Sequence, residues 1–139
     1  MSKKEYSFLL YHSAHFLKMA ISFDRRKRLA RPDGVGKKTG DCGDTVEIFL
    51  AVSNNRIRQA RFEIDGCQNT NATANAVCHL VEGKSIESAW QITPEMVAAF
   101  LETLPENHFH CAELATGALY MALTDCHRTR QEPWKKLYR

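Results

Sequence analysis

Residues 42–67 read CGDTVEIFLAVSNNRIRQARFEIDGC, and the alternation inside this stretch decides the fold. Val46, Ile48, Leu50 and Val52 fall on one face of a strand over 45–52, with Glu47 and Ser53 on the other. A period of two is the mark of a half-buried strand. Asn54-Asn55 is a turn signal, and a second strand runs from about Arg56 to Ile64 with Ala60, Phe62 and Ile64 on one face. A hairpin is the economical connection. Facing residues of an antiparallel pair point to the same side, so the apolar faces set the register. Pairing Val46 with Ile64, Ile48 with Phe62 and Leu50 with Ala60 gathers the apolar side chains together. A slip of one residue would set them against Glu63, Arg61 and Gln59. Continued outward, the favourable register puts Asp44 opposite Gly66 and brings Cys42 and Cys67 almost face to face. Neighbouring strands lie about 4.8 Å apart, so two thiols at one hairpin mouth can share a metal.

The hairpin ends carry two of three strings rich in metal-binding groups: Gly40-Asp41-Cys42-Gly43-Asp44 and Asp65-Gly66-Cys67. The third is His108-Phe109-His110-Cys111, where a helix is predicted to begin. Glycines flank Cys42 and allow the backbone to turn a thiol towards a metal. Asp44 adds a hard oxygen ligand. Cys111 at a helix N-terminus is expected to be favoured as thiolate by the dipole, and His110 offers a ring nitrogen beside it. The candidate metal ligands are therefore Cys42, Asp44, Cys67, His110 and Cys111. A closed structural zinc needs only four ligands, so the surplus suits a site that loads and unloads. Three thiolates with one harder ligand suit zinc, or iron in an iron–sulfur cluster. Aspartate or histidine in place of a fourth thiolate weakens the hold. His108 reads as a loop residue. Cys78 and Cys126 read as small buried hydrophobes, and His12, His15, His79 and His127 as surface or satisfied polar residues.

A length of 139 residues predicts one domain, large enough that a metal is not needed to hold the fold. The net charge of +3 is too small to argue for nucleic acid and mildly favours an acidic protein partner. His12, His15 and Lys18 interrupt any secretory leader, and no apolar run approaches the ~20 residues that span a membrane. A cytoplasmic chain is expected, where thiols stay reduced. Five cysteines, an odd number, argue against a disulfide framework. Asn71-Ala72-Thr73 matches the glycosylation pattern by chance.

Around the hairpin, residues 5–20 carry Leu9, Leu10, Phe16 and Leu17 at helical spacing. The basic run Arg25-Arg26-Lys27-Arg28 reads as a solvated linker, with a docking patch as the alternative. Pro32-Asp33-Gly34-Val35-Gly36 reads as turn and loop. Helices are predicted over 70–82, closed by Gly83, over 86–91, from the Thr93 cap and Pro94 onward, and from near Cys111 to about His127. A basic tail from Arg128 contains Pro133, which opposes helix.

The strings resemble those of the IscU/NifU-type iron–sulfur cluster assembly scaffolds. The resemblance rests on Asp41-Cys42-Gly43-Asp44, Phe62-Glu63-Ile64-Asp65-Gly66-Cys67, Val81-Glu82-Gly83-Lys84 and His110-Cys111-Ala112-Glu113-Leu114-Ala115, in the family's order over roughly residues 41–126. It implies an α+β fold, with a small antiparallel sheet, helices packed on one face and the metal site at one end. It implies that Cys42, Cys67 and Cys111 accept sulfur and hold a transient [2Fe–2S] cluster, while Asp44 tunes release and His110 is an alternate ligand. Sulfur would come as persulfide from a cysteine desulfurase, the cluster would pass to recipient apoproteins, and zinc can take the same site. Three departures stand out. Leu104-Pro105-Glu106-Asn107-His108 replaces the family's Leu-Pro-Pro-Val-Lys chaperone-docking segment, which argues against an Hsp70-type chaperone partner. Gln68-Asn69-Thr70-Asn71 follows Cys67 where the family favours small residues, and residues 1–40 diverge. With no further cysteine-bearing module, the chain is expected to be a scaffold domain rather than a full NifU. A zinc-dependent sulfur acceptor of the SufU type is the first alternative. The compact stretch to Cys111 and the presence of His110 speak against it. A structural-zinc module that binds nucleic acid through Arg25–Arg28 is the second.

Overall fold

The computed structural model describes residues 12–138. Three antiparallel strands, β1 (Gly34–Thr39), β2 (Thr45–Ser53) and β3 (Arg56–Asp65), form a sheet in the order β1-β2-β3. Helix α1 (Ala14–Ile21) precedes it; α2 (Gln68–Val81), α3 (Ile86–Trp90), α4 (Pro94–Leu101) and α5 (Phe109–Gln131) follow. The fold class is α+β, as the family resemblance implies. Among the described residues no helix is long and apolar enough to cross a membrane.

The β2–β3 register is the one the apolar faces require: Val46 pairs with Ile64, Ile48 with Phe62 and Leu50 with Ala60. Asn54 and Asn55 make the turn with φ of 52° and 61°, the left-handed pair that a two-residue type I′ hairpin needs. Val46, Ile48, Leu50, Ala60 and Phe62 are fully buried. Helix α5 runs along β1 and β2, α2 packs on β3, and the two helices pack on each other, so one face of the sheet is covered. Each large side chain buried there stabilises by roughly 1.5–3 kcal/mol. The slipped register would instead bury Glu63 and Arg61, which is why it loses.

The segment read as loop at Pro32–Gly36 instead opens β1, which starts at Gly34 and pairs along β2, Gly34 with Leu50 and Gly36 with Ile48. The reason lies in α5. A Cβ on Gly34 would stand 2.3 Å from the Ala122 carbonyl oxygen, and one on Gly36 would stand 2.1 Å from that of Ala118. The glycines let a helix backbone lie directly on the strand.

The basic run is only partly a solvated linker: Lys27 and Arg28 are exposed, but Arg25 and Arg26 are half-buried. Arg25 O accepts from Phe62 N–H at 2.9 Å, and Arg26 bridges Phe62 in parallel, against the free edge of β3. Arg25 pairs with Glu82 at 3.4 Å; Arg28 pairs with Glu47 at 3.1 Å and stacks over Phe49. A linker would leave that strand edge open, whereas the run covers it.

Helix α1 begins at Ala14, capped by the Ser13 hydroxyl, which accepts from Phe16 N–H. The part of the predicted helix with Leu9 and Leu10 lies outside the described residues. Asn71 explains one departure from small residues after Cys67. Its Nδ2 donates to the carbonyls of Met19, Ala20 and Ser22 at 3.0, 3.1 and 3.2 Å, tying the end of α1 to α2. Helix α4 starts as predicted, with the Thr93 hydroxyl accepting from Met96 N–H and Pro94 in the first turn. Helix α5 outlasts its predicted end at His127, reaching Gln131, and Pro133–Tyr138 forms a 3-10 turn beyond it. Proline opening a new turn loses no hydrogen bond there.

Candidate metal centre

The end of the sheet where β2 begins and β3 finishes receives the first turns of α2 and α5. Cys67 is the N-cap residue of α2, and Cys111 lies in the first turn of α5. Asp44 lies just before β2, after a tight turn in which Gly43 N–H donates to Gly40 O and Gly40 N–H to Asp44 O. Gly43 has φ of 90°, a conformation glycine adopts without strain.

These residues meet around the side chain of Thr70, which is fully buried. Its hydroxyl donates to Asp44 Oδ2 at 2.8 Å and accepts from Cys67 N–H at 3.3 Å. The same oxygen lies 3.6 Å from Cys67 Sγ and 4.0 Å from Cys111 Sγ. On the other side of Cys111, its sulfur is 3.6 Å from His110 Nε2 and 3.9 Å from His108 Nδ1. Donor atoms of His108, His110 and Cys111 all lie within 4.8 Å of one another. Cys42 and His110 line one cavity of about 490 Å³, together with Lys38, Asp41 and Glu113. Lys38 reaches that cavity by lying flat over Gly117 of α5; a Cβ there would stand 2.7 Å from its Nζ.

Asp44, Cys67, His110 and Cys111 are thus brought into one cluster, with Cys42 on the adjoining cavity wall. Two members of the cluster were not expected. His108, read as a loop residue, ends a 3-10 turn and aims a ring nitrogen at Cys111. Thr70 carried a signal: a hydroxyl at the third position of a helix can satisfy the N-cap backbone, a capping position.

The thiols differ in character. Cys42 and Cys67 are exposed and Cys111 is buried. Burial pushes the Cys111 thiol up to about 11, and the negative charges of Cys67, Asp44 and Cys42 add to it. The Cys111 thiol is thus raised, where a helix N-terminus alone would favour thiolate, and burial is the largest cause. Cys67 is the thiol shifted downward: burial acts against it, but hydrogen bonding from Thr70 and Asn69 outweighs that. Cys78 and Cys126 are buried away from the cluster, and burial pushes the Cys78 thiol to about 12. No disulfide joins any of the five cysteines. Such a donor set fits a soft or borderline cation such as Fe²⁺ or Zn²⁺, with one buried sulfur as anchor and two open sulfurs at the rim.

The chain is thus a small α+β domain that gathers cysteines, an aspartate and histidines, a donor set able to hold a metal ion, at one end of its sheet. Residues 26–133 match the NifU-like N terminal domain, and the chain belongs to that family. It is 39% identical over 97 residues to the iron-sulfur cluster assembly scaffold protein IscU 1 of Archaeoglobus fulgidus, covering 69% of this chain but 63% of that protein. It is 31% identical over 111 residues to the iron-sulfur cluster assembly scaffold protein IscU of Rickettsia prowazekii, covering 79% of this chain and 82% of that one. Among solved structures, the NifU-like protein (N-terminal) of Brucella abortus superimposes with a TM-score of 0.67 at 16% identity, over 84% of this chain and 94% of that one. A putative scaffold protein for the SUF system from Fervidobacterium islandicum gives a TM-score of 0.67 at 17% identity, over 82% and 97%. At such identities these two likenesses concern the fold alone.

Proposed function

We propose that this chain is a scaffold on which iron–sulfur clusters are assembled from iron and desulfurase-derived sulfur and then handed to apoproteins. It is a platform for its cargo rather than a turnover enzyme. The observation that carries the reading is the surplus of donors around Thr70: Asp44, Cys67 and Cys111 on one side, His110 and His108 on the other, with Cys42 at the rim. A permanent site would close with four ligands; a transient one gains from ligands that can exchange. Cys111 anchors the cargo, Cys42 and Cys67 accept sulfur from outside, and Asp44 or a histidine completes the shell. Cys111 must lose its proton as a metal binds, so loading releases protons. The partners of this reading are a cysteine desulfurase as persulfide donor and recipient apoproteins. Five cysteines with no disulfide among them support a reducing compartment such as the cytoplasm. Nucleic-acid binding through residues 25–28 is disfavoured, because Arg25 and Arg28 already pair with Glu82 and Glu47. The SufU-type sulfur-acceptor reading is disfavoured by His110, whose ring nitrogen lies against Cys111.

The test is anaerobic reconstitution with ferrous iron, cysteine and a cysteine desulfurase. The expected result is the visible absorption of a [2Fe–2S] cluster bound to the chain. Colourless protein that retains one tight zinc would replace the scaffold reading with the sulfur-acceptor one. Asp44→Ala is expected to prolong the lifetime of the bound cluster in air, because the exchangeable oxygen ligand is gone. An unchanged lifetime in bleaching kinetics would remove Asp44 from that role.

A further inference from the structure

We propose that Thr70 is a positioning residue of the metal centre, its hydroxyl holding the Asp44 carboxylate beside the sulfurs of Cys67 and Cys111. The inference rests on the scaffold reading for the identity of Asp44 as a ligand.

Asp44 follows a glycine turn, and its carboxylate makes one hydrogen bond among the described residues, the 2.8 Å bond from Thr70. A bond from a neutral hydroxyl to a carboxylate is charge-assisted and directional. Threonine has a single hydroxyl proton. Given to Asp44 Oδ2, that proton leaves the second carboxylate oxygen for an ion. Thr70 is itself rigid. It is branched at Cβ, which restricts χ1 in a helix, and it is fully buried in the first turn of α2. The hydroxyl oxygen lies 3.6 Å from Cys67 Sγ and 4.0 Å from Cys111 Sγ, so the carboxylate it holds is kept on the side of both sulfurs. Without Thr70 the carboxylate is tethered only through its backbone, and an ion must order it at the moment of binding. Loss of the outer partner of a metal ligand typically weakens metal affinity about 10–100-fold.

Thr70 has a second role that could imitate this effect. It accepts from Cys67 N–H at 3.3 Å and so caps α2. The two roles separate in a double-mutant cycle, since only positioning acts through Asp44.

The experiment measures Co²⁺ binding to the metal-free full chain under anaerobic, reducing conditions. Affinity is read by competition with a chromophoric chelator, and ligand geometry by the visible d–d bands. Thr70→Val, which keeps the shape and removes the hydroxyl, is expected to weaken binding about tenfold and to alter the d–d bands. Thr70→Ser is expected to restore both. Thr70→Ala is expected to match Thr70→Val and serves if the valine variant does not fold. In an Asp44→Ala background, Thr70→Val is expected to cost nothing further. Wild-type affinity in both Thr70→Val and Thr70→Ala overturns the positioning role alone, as does an undiminished loss in the Asp44→Ala background. Failure of the wild-type chain to bind Co²⁺ through its thiolates, seen as absent sulfur-to-cobalt charge transfer, overturns the scaffold reading and this inference with it.

Discussion

Cys111→Ala is expected to abolish cluster assembly while leaving the metal-free fold in place. Cys111 is the buried sulfur of the cluster, and it alone contacts both the Thr70 side and the histidine side. Its removal takes the one donor that the remaining ligands share. The remaining thiols, Cys42 and Cys67, are exposed. The affinity loss should therefore exceed the 10–100-fold typical of losing an outer partner. The structural cost is small by comparison, since one sulfur atom leaves a cavity worth about 1 kcal/mol. Cys78→Ala is the control: it too removes a fully buried thiol, but one outside the cluster. Its thermal unfolding should shift about as much as that of Cys111→Ala, and its reconstituted absorption should stay that of the wild type. Retention of the visible absorption in Cys111→Ala would dismantle the proposed centre.

The second large effect concerns stability. Gly36→Ala is expected to destabilise the fold by about 3 kcal/mol, the upper part of the overpacking range. The added methyl carbon would stand 2.1 Å from Ala118 O, 2.4 Å from Ala122 N and 2.8 Å from Met121 Cβ. The two nearest are backbone atoms of α5, so no rotamer change relieves the clash. Either the helix lifts from β1 or the strand leaves the sheet. For a chain of this length the loss lowers the melting temperature by about 10 °C, measurable by circular dichroism or calorimetry. Gly40→Ala is the comparison. Its added Cβ would meet Leu114 at an ordinary 3.5 Å, so its melting temperature should stay near that of the wild type. Equal melting of Gly36→Ala and Gly40→Ala would refute the close helix–strand contact. Since α5 also carries His110 and Cys111, a partly lifted helix should reduce metal affinity alongside stability.

The glycine result shows where reading along the chain fails. Gly34 and Gly36 look like loop punctuation because the reason for them is the backbone of a helix far along the chain. The same holds for the basic run. Its sequence neighbours are solvent-like, but its actual partners are Glu82, Glu47 and the edge of β3. Cys111 shows a third form of the limit. Its place near a helix start was legible, and its depth, which raises its thiol, was not. Helix ends, by contrast, were legible where a local cap makes them, as at Thr93 and Pro94.

By itself, the sequence determined the hairpin, its register and hence the nearness of its two ends. These follow from period-two alternation and a two-residue turn, both of which act between residues close in the chain. The family strings likewise marked the cysteines, Asp44 and His110. Only the tertiary structure decided that Thr70 stands at the centre of the cluster, that His108 joins it and that Cys111 is its buried sulfur. Hydrogen bonds and desolvation depend on distances between α2, α5 and the β2 turn, and those distances exist only once the helices have packed on the sheet.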